Sequence, residues 1–431
     1  MSAPTLSAAA VGLLAGWRET GRPADLAEHL DRYGELPIGA FPGRAGRERL
    51  IELVESAGLR GRGGAGFPTS VKLRAVAAGR RRAVVVANGC EGEPASQKDH
   101  ALLTVAPHLV LDGLQLAAHA VGAGSLLCCV HRGDPLAATL HAALAQRGHD
   151  RLPVEIVEVP ARFAASEESA LVNFINTGTA KPTVKPPRPF ERGVRGRPTL
   201  VDNVETLAHL ALIARYGPAA FRAIGTADSP GSTLLTVAGA VATPGVREVA
   251  LGTTIGRALT YAGGETEPLQ AILAGGYGGS WLPFPAAADL PLTHQDFRAA
   301  GASLGVGLLL ALPARACGIA ETVGMLRYLA DESARQCGPC MFGLPAIAAD
   351  FAELATGSAT VAAMNRLRGR LGVITGRGAC AHPDGAVRLA ASALRVFDRD
   401  VRAHLAGRPC PAARARPWLA PKPSVRETGW T

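Results

Sequence analysis

The stretch Ala-Val-Val-Val-Ala-Asn at 83–88, continued by Gly-Cys-Glu-Gly-Glu-Pro at 89–94, decides the fold of this chain. Its first five residues are apolar, which is typical of a parallel β-strand that is buried on both faces of a sheet. The segments that follow alternate between helical and strand patterns at 107–121, 125–131, 135–146 and 154–159. This β-α-β-α-β order predicts an α/β domain built on a parallel, doubly wound sheet.

Length and composition restrict the class of protein. The 431 residues correspond to roughly two to four domains of ordinary size. Hydrophobic residues make up 48% and charged residues 19%, so the chain can bury a large core and is not a disordered polymer. The net charge of +9 is spread along the chain, and aromatic residues make up only 5%. A generally basic surface explains this charge, and a nucleic-acid-binding face is not expected.

No segment has the pattern of a membrane span or a secretion signal. The uncharged stretch at 299–314 is too short and too rich in glycine to cross a bilayer. The N-terminus has no basic region followed by an apolar core, because Glu19 and Asp25 interrupt it early. Eight cysteines are too few for a disulfide framework in a chain of 431 residues. We therefore expect a cytoplasmic, reducing location and no direct insertion into a membrane.

Changes in the sequence pattern divide the chain into five parts. Residues 1–45 form an N-terminal extension without strong chemistry, and residues 46–230 hold the α/β domain. Short strands separated by glycine turns predict a small β-rich domain at 231–300. Helical patterns return at 301–408, and residues 409–431 form a tail that is rich in Pro and Arg.

A glycine-rich loop precedes the first strand. Gly61, Gly63 and Gly66 fit the G-x-G-x-x-G spacing, but a helical pattern precedes them, whereas the dinucleotide fingerprint requires a strand there. The ordinary Rossmann interpretation therefore fails, although the glycines still let the backbone approach a flat or phosphorylated ligand closely. Arg62 and Lys72 add positive charge for a phosphate. A phosphate-binding cradle and a plain loop both remain open from these residues alone.

Acidic side chains lie at two places that suit ligand binding. Asn88, Glu91 and Glu93 follow the first strand, and ligands of open parallel sheets bind at the carboxyl ends of strands. Asn88 is a candidate for the edge of a heterocycle, and the two glutamates are candidates for ribose hydroxyls; the alternative is a solvated acidic turn. Glu167 and Glu168 begin a later helix, where stabilisation of the helix dipole is the alternative.

Five motifs occur in one order, and their combination is far more specific than any one of them. They are GLRGRGGAGFPT at 58–69, NGCEGEP at 88–94, SEESALVN at 166–173, KPP at 185–187 and GRPTLVDNVETL at 196–207. Over roughly residues 45–405 the chain thereby resembles the family of NADH-binding, flavin-carrying 51 kDa subunits of respiratory complex I. This family includes the flavoprotein subunits of NAD-reducing hydrogenases and formate dehydrogenases.

The resemblance implies three functional domains and a chain of cofactors. Residues 46–230 would form a Rossmann-like domain for FMN and NADH, 231–300 a β-grasp domain of the SLBB type, and 301–408 a helical iron–sulfur domain. NADH would pass a hydride to FMN, and FMN would release single electrons to a 4Fe–4S cluster. The implied partner is an electron-accepting protein: either another subunit, such as a thioredoxin-like 2Fe–2S subunit, or a ferredoxin. The implied activity is that of an NADH dehydrogenase.

The resemblance also assigns site residues by position. Nine of them match flavin contacts: Gly61, Gly63, Gly64, Lys72, Asn88, Glu91, Glu167, Asn203 and Thr206. Four match positions near the nicotinamide nucleotide: Phe67, Glu93, Glu168 and Lys185. Three match thiolate ligands of the cluster: Cys337, Cys340 and Cys380. No acid–base residue is required, because the cofactor supplies the chemistry of hydride transfer.

The chain departs from the family at the first cluster ligand. Ala334 stands where the family has a cysteine, so three of four thiolates remain, whereas cubane clusters usually bind four cysteines. Three explanations stay open. A substitute ligand could be Cys317, His382 or Cys410; a three-ligand cluster could keep one labile or externally ligated iron; or the cluster could be lost, with Zn²⁺ as a replacement.

Other departures from the family lie in the flavin pocket. The changed positions are Phe163, Cys90, Gly92, Ser166 and Asp202. Together they favour a second hypothesis, in which the protein is a non-catalytic relative that acts as a binding or assembly module. A third hypothesis is a metal-dependent or thiol-redox protein on the same scaffold, without nicotinamide chemistry.

Some cysteines and histidines belong to none of these motifs. Cys128 and Cys129 lie in an apolar strand and are expected to be core thiols. His108, His119 and His131 have no partner pattern, and we expect them on helix or loop surfaces.

Overall fold

The structure is a computed structural model, and it describes residues 12–16, 22–148, 150–415, 417–419 and 429–431. Most of the residues at 1–21 and 420–428 therefore lie outside the described part, including much of the predicted extension and tail. The strands are β1 Val84–Asn88, β2 Ser125–His131, β3 Val154–Val159, β4 Thr199–Asn203, β5 Ser232–Gly239, β6 Gly245–Ala250, β7 Leu269–Ala274, β8 Ser280–Pro283 and β9 Leu308–Pro313.

The α-helices of the described residues fall into three sets along the chain. The first nine accompany the first four strands: α1 Leu26–Tyr33, α2 Gly43–Ala57, α3 Thr69–Ala77, α4 Lys98–Val105, α5 Pro107–Val121, α6 Leu136–Ala145, α7 Glu168–Thr177, α8 Pro189–Arg192 and α9 Val204–Arg222. Two short helices follow: α10 Ile255–Tyr261 and α11 His294–Ala299. The last five are α12 Gly318–Asp331, α13 Leu344–Thr356, α14 Val361–Ile374, α15 His382–Val396 and α16 Asp398–Leu405.

The first sheet is parallel throughout and has the strand order β3-β2-β1-β4. Val86 of the central strand β1 pairs with Leu127 on one side and Val201 on the other. The side chains of β1 alternate between two cores: Val85 packs among residues of α2, α5 and α9, and Val86 packs among residues of α7. Helices cover both faces of the sheet, so the predicted doubly wound α/β fold is confirmed.

The second sheet is mixed and has the order β6-β5-β9-β7-β8. Its central strand β9 runs parallel to β5 and antiparallel to β7. This strand lies beyond residue 300, where the sequence pattern placed the end of the β-rich domain. The cause is the uncharged stretch at 299–314: its apolar residues form the fully buried middle strand of the sheet and do not begin the helical region.

The C-terminal helices pack around one core and against the second sheet. α12 and α13 form a hairpin, and a π-helical turn at Pro339–Gly343 joins their connection to α13. Trp281 of β8 is fully buried, and its ring packs 5.2 Å from Phe397 between ring centroids. Its Nε1–H donates to Thr322 of α12 at 3.0 Å, which fixes the hairpin to the sheet.

The described end of the tail returns to the first domain. The backbone N–H of Ala180 donates to the carbonyl oxygen of Trp430 at 2.7 Å. The guanidinium of Arg162 lies 4.6 Å from the centroid of the Trp430 ring. The last three residues therefore belong to the surface of the α/β domain.

Of the predictions for cysteines and histidines outside the motifs, one is confirmed and one is wrong. Cys128 and Cys129 have no exposed surface, so their assignment to the core is confirmed. The surface assignment of His108 is wrong, because the residue is 1% exposed and packs against the His29 ring at 5.6 Å. Burial lowers the pKa of His108 to about 4. His119 and His131 are half-buried.

Within the described residues, no single helix is long and apolar enough to span a bilayer. α4 and α5 have sufficient apolar length only when they are added together, and they meet at an angle of 97°. Most residues of α5 are buried inside the α/β domain.

Candidate functional site

The glycine-rich loop connects α2 to α3 and rests on the first turn of α9. The N–H of Gly61 donates to the carbonyl oxygen of Phe67 at 2.8 Å, which closes the loop. The N–H of Arg62 donates to the hydroxyl of Thr206 at 2.9 Å, which attaches the loop to α9. Gly66 has φ of +62°, and a Cβ on it would lie 2.4 Å from the His294 ring. A side chain at this position is therefore excluded both by the backbone conformation and by space.

The side chain of Arg62 is used inside the protein. Its guanidinium is buried, donates to the carbonyl oxygen of Ser232 at 3.0 Å and lies 3.9 Å from a carboxylate oxygen of Glu205. Burial lowers the pKa of Arg62. This placement differs from the sequence prediction of a phosphate-binding cation. The loop offers a ligand its backbone, and the charge of Arg62 neutralises a buried carboxylate.

A buried ionic network lies beneath this loop. The Lys98 ammonium lies 2.5 Å from Asp99, 2.9 Å from Glu205 and 3.3 Å from the side-chain oxygen of Asn203. Asn203 also donates its amide to Asp99 at 2.8 Å. Burial alone would raise the pKa of Glu205, but the Lys98 charge, the His209 hydrogen bond and the Arg62 charge together outweigh it, and the pKa falls to about 2. The sequence analysis assigned no role to Lys98; the available signal was that the chain has only five lysines and that this one closely follows the 88–94 motif.

The end of β1 uses two of its three predicted side chains for structure. Asn88 donates to the carbonyl oxygen of Ser166 at 2.9 Å and accepts the N–H of Cys90 at 3.1 Å. The Glu91 carboxylate caps α4, accepting backbone N–H groups of Lys98, Asp99 and His100 at 2.8, 3.3 and 3.2 Å. This cap occupies Glu91 and differs from the predicted ribose contact.

Glu93 is the exception at this strand end. It is 6% exposed, and one carboxylate oxygen accepts the N–H of Tyr277 at 2.8 Å. Its other oxygen is buried and has no hydrogen-bond partner among the described residues. Burial raises the pKa of Glu93 to about 7. Sequence reasoning missed Tyr277, whose signal was the Gly-Gly-Tyr-Gly-Gly turn at 275–279 between β7 and β8.

Lys72 faces the changed position Asp202. Its ammonium donates to the carbonyl oxygen of Val201 at 2.6 Å and lies 3.6 Å from one carboxylate oxygen of Asp202. The other oxygen of Asp202 is buried without a partner in the described part of the chain. Burial raises the pKa of Asp202, and Lys72 offsets part of this effect.

One ionic group at the start of α7 combines two of the predicted nicotinamide-side residues, Glu168 and Lys185, with the predicted flavin contact Glu167. The Lys185 ammonium donates to Glu167 at 2.6 Å and to Glu168 at 2.8 Å. Glu167 also caps α7 by accepting the N–H groups of Ser169 and Ala170 at 2.8 and 3.2 Å. Burial lowers the pKa of Lys185, but the two carboxylates outweigh it, so the pKa is raised.

The three predicted cluster thiols lie beside this ionic group. Cys340 is buried, and Cys337 and Cys380 are half-buried. Burial and then the neighbouring Cys337 raise the pKa of Cys340 to about 12. Burial raises the pKa of Cys380; among nearby charges, Glu167 raises it further and Lys185 lowers it. The segment before α7 also contacts the cluster region directly, because Arg162 donates to Glu332 at 2.9 Å and the Phe163 ring lies 5.2 Å from the His382 ring.

Two of the proposed substitute ligands lie elsewhere. Cys317 precedes α12, and the cluster thiols follow this helix, whose 14 residues span about 21 Å at 1.5 Å per residue. Cys410 lies with Cys317, so neither can complete a cluster at Cys337. Of the three candidates only His382 is close to Cys380 in the chain, two residues after it. Its Nε2 bonds to the Leu329 carbonyl at 2.7 Å, and its buried Nδ1 has no partner among the described residues.

The spacing of the remaining thiols bears on the choice between zinc and a cluster. Among the described residues, the one set of three ligating atoms that lie within 4.8 Å of one another does not include Cys337, Cys340 and Cys380. A single tetrahedral ion needs such close spacing, since two sulfurs bonded at ~2.3 Å lie about 3.8 Å apart. In a cubane each thiolate binds a different iron, so three thiols that do not all lie within 4.8 Å of one another suit a cluster better than a single zinc ion.

Three domain families match the chain in the order of its folded parts. Residues 54–212 match the Nuo51 FMN-binding domain. Residues 234–280 match the SLBB domain. Residues 321–404 match the iron–sulfur binding region of NADH-ubiquinone oxidoreductase-F.

Whole proteins match over most of their length. The F subunit of the NADH-quinone oxidoreductase of Streptomyces coelicolor is 31% identical over 389 residues, covering 86% of each chain. That of Salmonella typhimurium is 31% identical over 409 residues, covering 90% of this chain and 91% of its own. The HndC subunit of the NADP-reducing hydrogenase of Solidesulfovibrio fructosivorans is 28% identical, covering 84% and 77%. Among solved structures, an NAD⁺-reducing NiFe hydrogenase in its H₂-reduced state matches with a TM-score of 0.80 and 31% identity, covering 92% and 67%.

Proposed function

The chain belongs to the family of the F subunits of NADH-quinone oxidoreductases, and from this membership we propose that it acts as the NADH dehydrogenase component of a larger complex. Electrons pass from NADH through FMN and an iron–sulfur cluster to a protein partner. The observation that carries the proposal is the contact between the segment before α7 and the cluster region: Arg162 donates to Glu332 at 2.9 Å, and the Phe163 ring lies 5.2 Å from the ring of His382, two residues after Cys380. The proposed binding site for NADH and the proposed cluster thiols therefore lie in one region of the protein, as electron transfer between them requires.

The pocket residues fit a flat, phosphorylated cofactor. When bound, FMN accepts a hydride from NADH and releases electrons one at a time. We assign its contact with the loop to the backbone at Gly61, Gly63 and Gly64. A Cβ on Gly63 would lie 3.4 Å from the Asn203 side chain, so glycine keeps open the gap between the loop and the start of α9. The Thr206 hydroxyl fixes the loop for this contact.

The nicotinamide side of the site is assigned to four residues. Phe67 is 49% exposed and offers an apolar face beside the loop. The free oxygen of Glu93 is a buried acceptor that suits a hydroxyl of the nucleotide. Lys185 orients Glu167 and Glu168 through its two short hydrogen bonds. None of these residues needs to transfer a proton for a hydride to move.

We assign the cluster to Cys337, Cys340 and Cys380. These thiols fit an iron–sulfur cluster with three protein ligands from cysteine, and the fourth iron position is either taken by His382 or left labile. Met341 and Phe342 follow Cys340 directly and are 48% and 71% exposed. An exposed apolar pair beside a redox centre supports an electron-accepting iron–sulfur protein as the partner. All eight cysteines are free, which supports the cytoplasmic location.

Cofactor quantitation on one anaerobic sample tests this function. The full chain is purified after iron-supplemented expression, and flavin, iron and acid-labile sulfide are measured with a visible spectrum before and after NADH. We expect near-stoichiometric FMN that bleaches with NADH, together with iron and sulfide. Lys185→Ala should weaken NADH-dependent bleaching, whereas Lys181→Ala, outside the Glu167–Glu168 group, should not. A protein that takes up neither flavin nor iron on reconstitution contradicts the proposal.

Changes in the pocket favour one second candidate, a non-catalytic binding or assembly module. Among the described residues, Asp202 carries a buried oxygen without a partner, and Cys90 and Ser166 also depart from the family pattern. A colourless, folded protein without saturable NADH oxidation would support this candidate.

A further inference from the structure

A second thiol cluster lies at the far end of the α12–α13 hairpin, away from the predicted iron–sulfur ligands. Cys317 is the residue before α12, His404 is on α16, and Cys410 lies in the segment after α16. Their ligating atoms all lie within 4.8 Å of one another. None of the family motifs quoted above includes these residues, and the proposed electron relay does not use them.

The ring of the histidine in this cluster is fixed through its Nδ1, as in many metal sites. His404 is fully buried, and its Nδ1 lies 3.1 Å from the carbonyl oxygen of Leu354 at the end of α13. A carbonyl only accepts, so Nδ1 carries the proton and Nε2 presents its lone pair. Metal-bound histidines in proteins commonly have this second hydrogen bond to a backbone carbonyl. The single lone pair of Nε2 accepts the N–H of Cys410 at 3.1 Å, so it points toward the segment that carries the second thiol, and a metal ion binds there only by displacing this hydrogen bond.

The donor set selects a narrow class of ion. Two sulfurs and one imidazole nitrogen suit Zn²⁺, whereas Mg²⁺ and Ca²⁺ require oxygen ligands. Cys317 is 2% exposed and Cys410 is half-buried. Two thiolates would neutralise the charge of a divalent ion, which matters in such an apolar place. Two thiols would release their protons to solvent when the ion binds.

We propose that Cys317, His404 and Cys410 bind one zinc ion, with a water molecule in the fourth position. The ion joins three parts of the fold: the start of α12, the end of α16 and the segment that leads to the tail. Structural zinc sites usually have four protein ligands, whereas this one has three and a water; we assign it the role of a clip because it joins separate elements and takes no part in the proposed relay. It differs from the Cys337 site in position and in the number of metal ions. The proposal stands on this geometry alone and does not depend on the NADH dehydrogenase function.

Metal analysis of the full chain tests the clip, with variants that separate the two thiol clusters. The protein is expressed with zinc, and zinc and iron are measured per chain in wild type, Cys410→Ser, the double variant Cys337→Ser/Cys340→Ser, and Cys128→Ser. The last is a matched control, because Cys128 is a buried thiol remote from both clusters. We expect about one zinc in wild type, in the double variant and in the control, and loss of zinc in Cys410→Ser.

Cobalt provides a second measurement, made on a variant that keeps all three proposed zinc ligands. Co²⁺ added to the zinc-free double variant should give thiolate-to-cobalt absorption, and stoichiometric zinc should abolish it. Three results would overturn the proposal: zinc that persists in Cys410→Ser, zinc that disappears with Cys337 and Cys340, or a Cys317–Cys410 disulfide found by mass spectrometry of the unreduced protein. Absence of cobalt absorption in the folded double variant would also overturn it.

Discussion

The two ends of the α12–α13 hairpin carry thiols in opposite arrangements. At one end Cys337 and Cys380 are half-buried, and the charges of Glu167 and Lys185 act on Cys380. At the other end Cys317 and His404 are buried, and the ligating atoms lie within 4.8 Å of one another. Three thiols that do not all lie within 4.8 Å of one another, two of them half-buried, suit a cluster that exchanges electrons. Close spacing in an apolar place suits a single ion that only holds the fold together.

Removing a thiol from the end that carries Cys337, Cys340 and Cys380, here called the exposed end, should have the largest effect on electron transfer. In Cys340→Ser we expect loss of iron and sulfide and a fall in NADH-driven reduction of a ferredoxin-type acceptor. The fall should be at least the roughly 10–100-fold that loss of a supporting partner of a metal site costs. FMN content and bleaching by NADH should persist, because the pocket residues are unchanged. Anaerobic stopped-flow measurements check both expectations: the rate of flavin reduction should be unchanged, and the rate of acceptor reduction should fall.

Cys410→Ser is the matched control for this experiment, since it removes a thiol from the opposite end of the same hairpin. Its rate of acceptor reduction should equal that of wild type. If iron is also lost in Cys410→Ser, the two ends are not independent and the comparison fails.

Restoring the missing cysteine should complete the exposed end. Ala334 is half-buried, so a thiol fits there without overpacking. In Ala334→Cys we expect iron to rise from about three to about four per chain, and loss of iron to a chelator to slow by about 10–100-fold. Arg335→Cys places a thiol on the adjacent exposed residue and should change neither quantity. Four irons in wild type, with no gain in Ala334→Cys, would mean that another group already fills the position, and His382→Ala would then test it.

Loss of the clip should change stability and leave electron transfer intact. Cys410→Ser should lower the free energy of unfolding by about 2.7 kcal/mol when free zinc is 100 times its dissociation constant, because an ion that binds only the folded state adds this amount. Urea unfolding of wild type with and without a zinc chelator should show a difference of the same size. In Cys410→Ser the chelator should have no effect. A chelator that destabilises both proteins equally would place the stabilising metal elsewhere.

The sequence predicted those parts of the molecule that depend on local pattern. An apolar run predicts a buried parallel strand, and β1 is that strand. The boundary at residue 300 could not be predicted, because β9 is defined only by its pairing with β5 and β7. His108 was misplaced for the same reason: its neighbour His29 is far away in the sequence.

The candidate site shows the same limit. Motif positions indicated Glu91 and Arg62 as ligand contacts, but which of their hydrogen bonds are already taken depends on the fold. Glu91 is occupied by the start of α4, and Arg62 by Ser232 and Glu205. The Cys317–His404–Cys410 cluster has no spacing signature, because its three members come from separate elements.

The smallest expected effect is on the pH dependence of stability, and it arises from Glu93. It also tests whether the two ends of the hairpin are independent. Although Glu93 itself is buried, it lies near the hairpin end that carries Cys337 and Cys340. Its partner Tyr277 packs against Tyr328 in the last turn of α12, with ring centroids 5.7 Å apart. Burial raises its pKa from 4.5 to about 7 in the folded protein. Between these values the folded state binds more protons than the unfolded state, so this group lowers stability as pH rises from 5 to 7. The loss amounts to about 2 kcal/mol at 1.36 kcal/mol per pKa unit.

Glu93→Gln removes this titration and keeps the acceptor for the Tyr277 N–H. Relative to wild type, the variant should therefore gain about 2 kcal/mol of stability between pH 5 and pH 7, measured as the difference between urea unfolding curves at the two values. Glu155→Gln, at an exposed strand position, should show no such gain. The gain should be the same with and without zinc, because the zinc clip lies at the other end of the hairpin. A gain that depends on zinc would show that the ends are coupled through α12, and a gain of zero would mean that Glu93 is ionised in the folded protein.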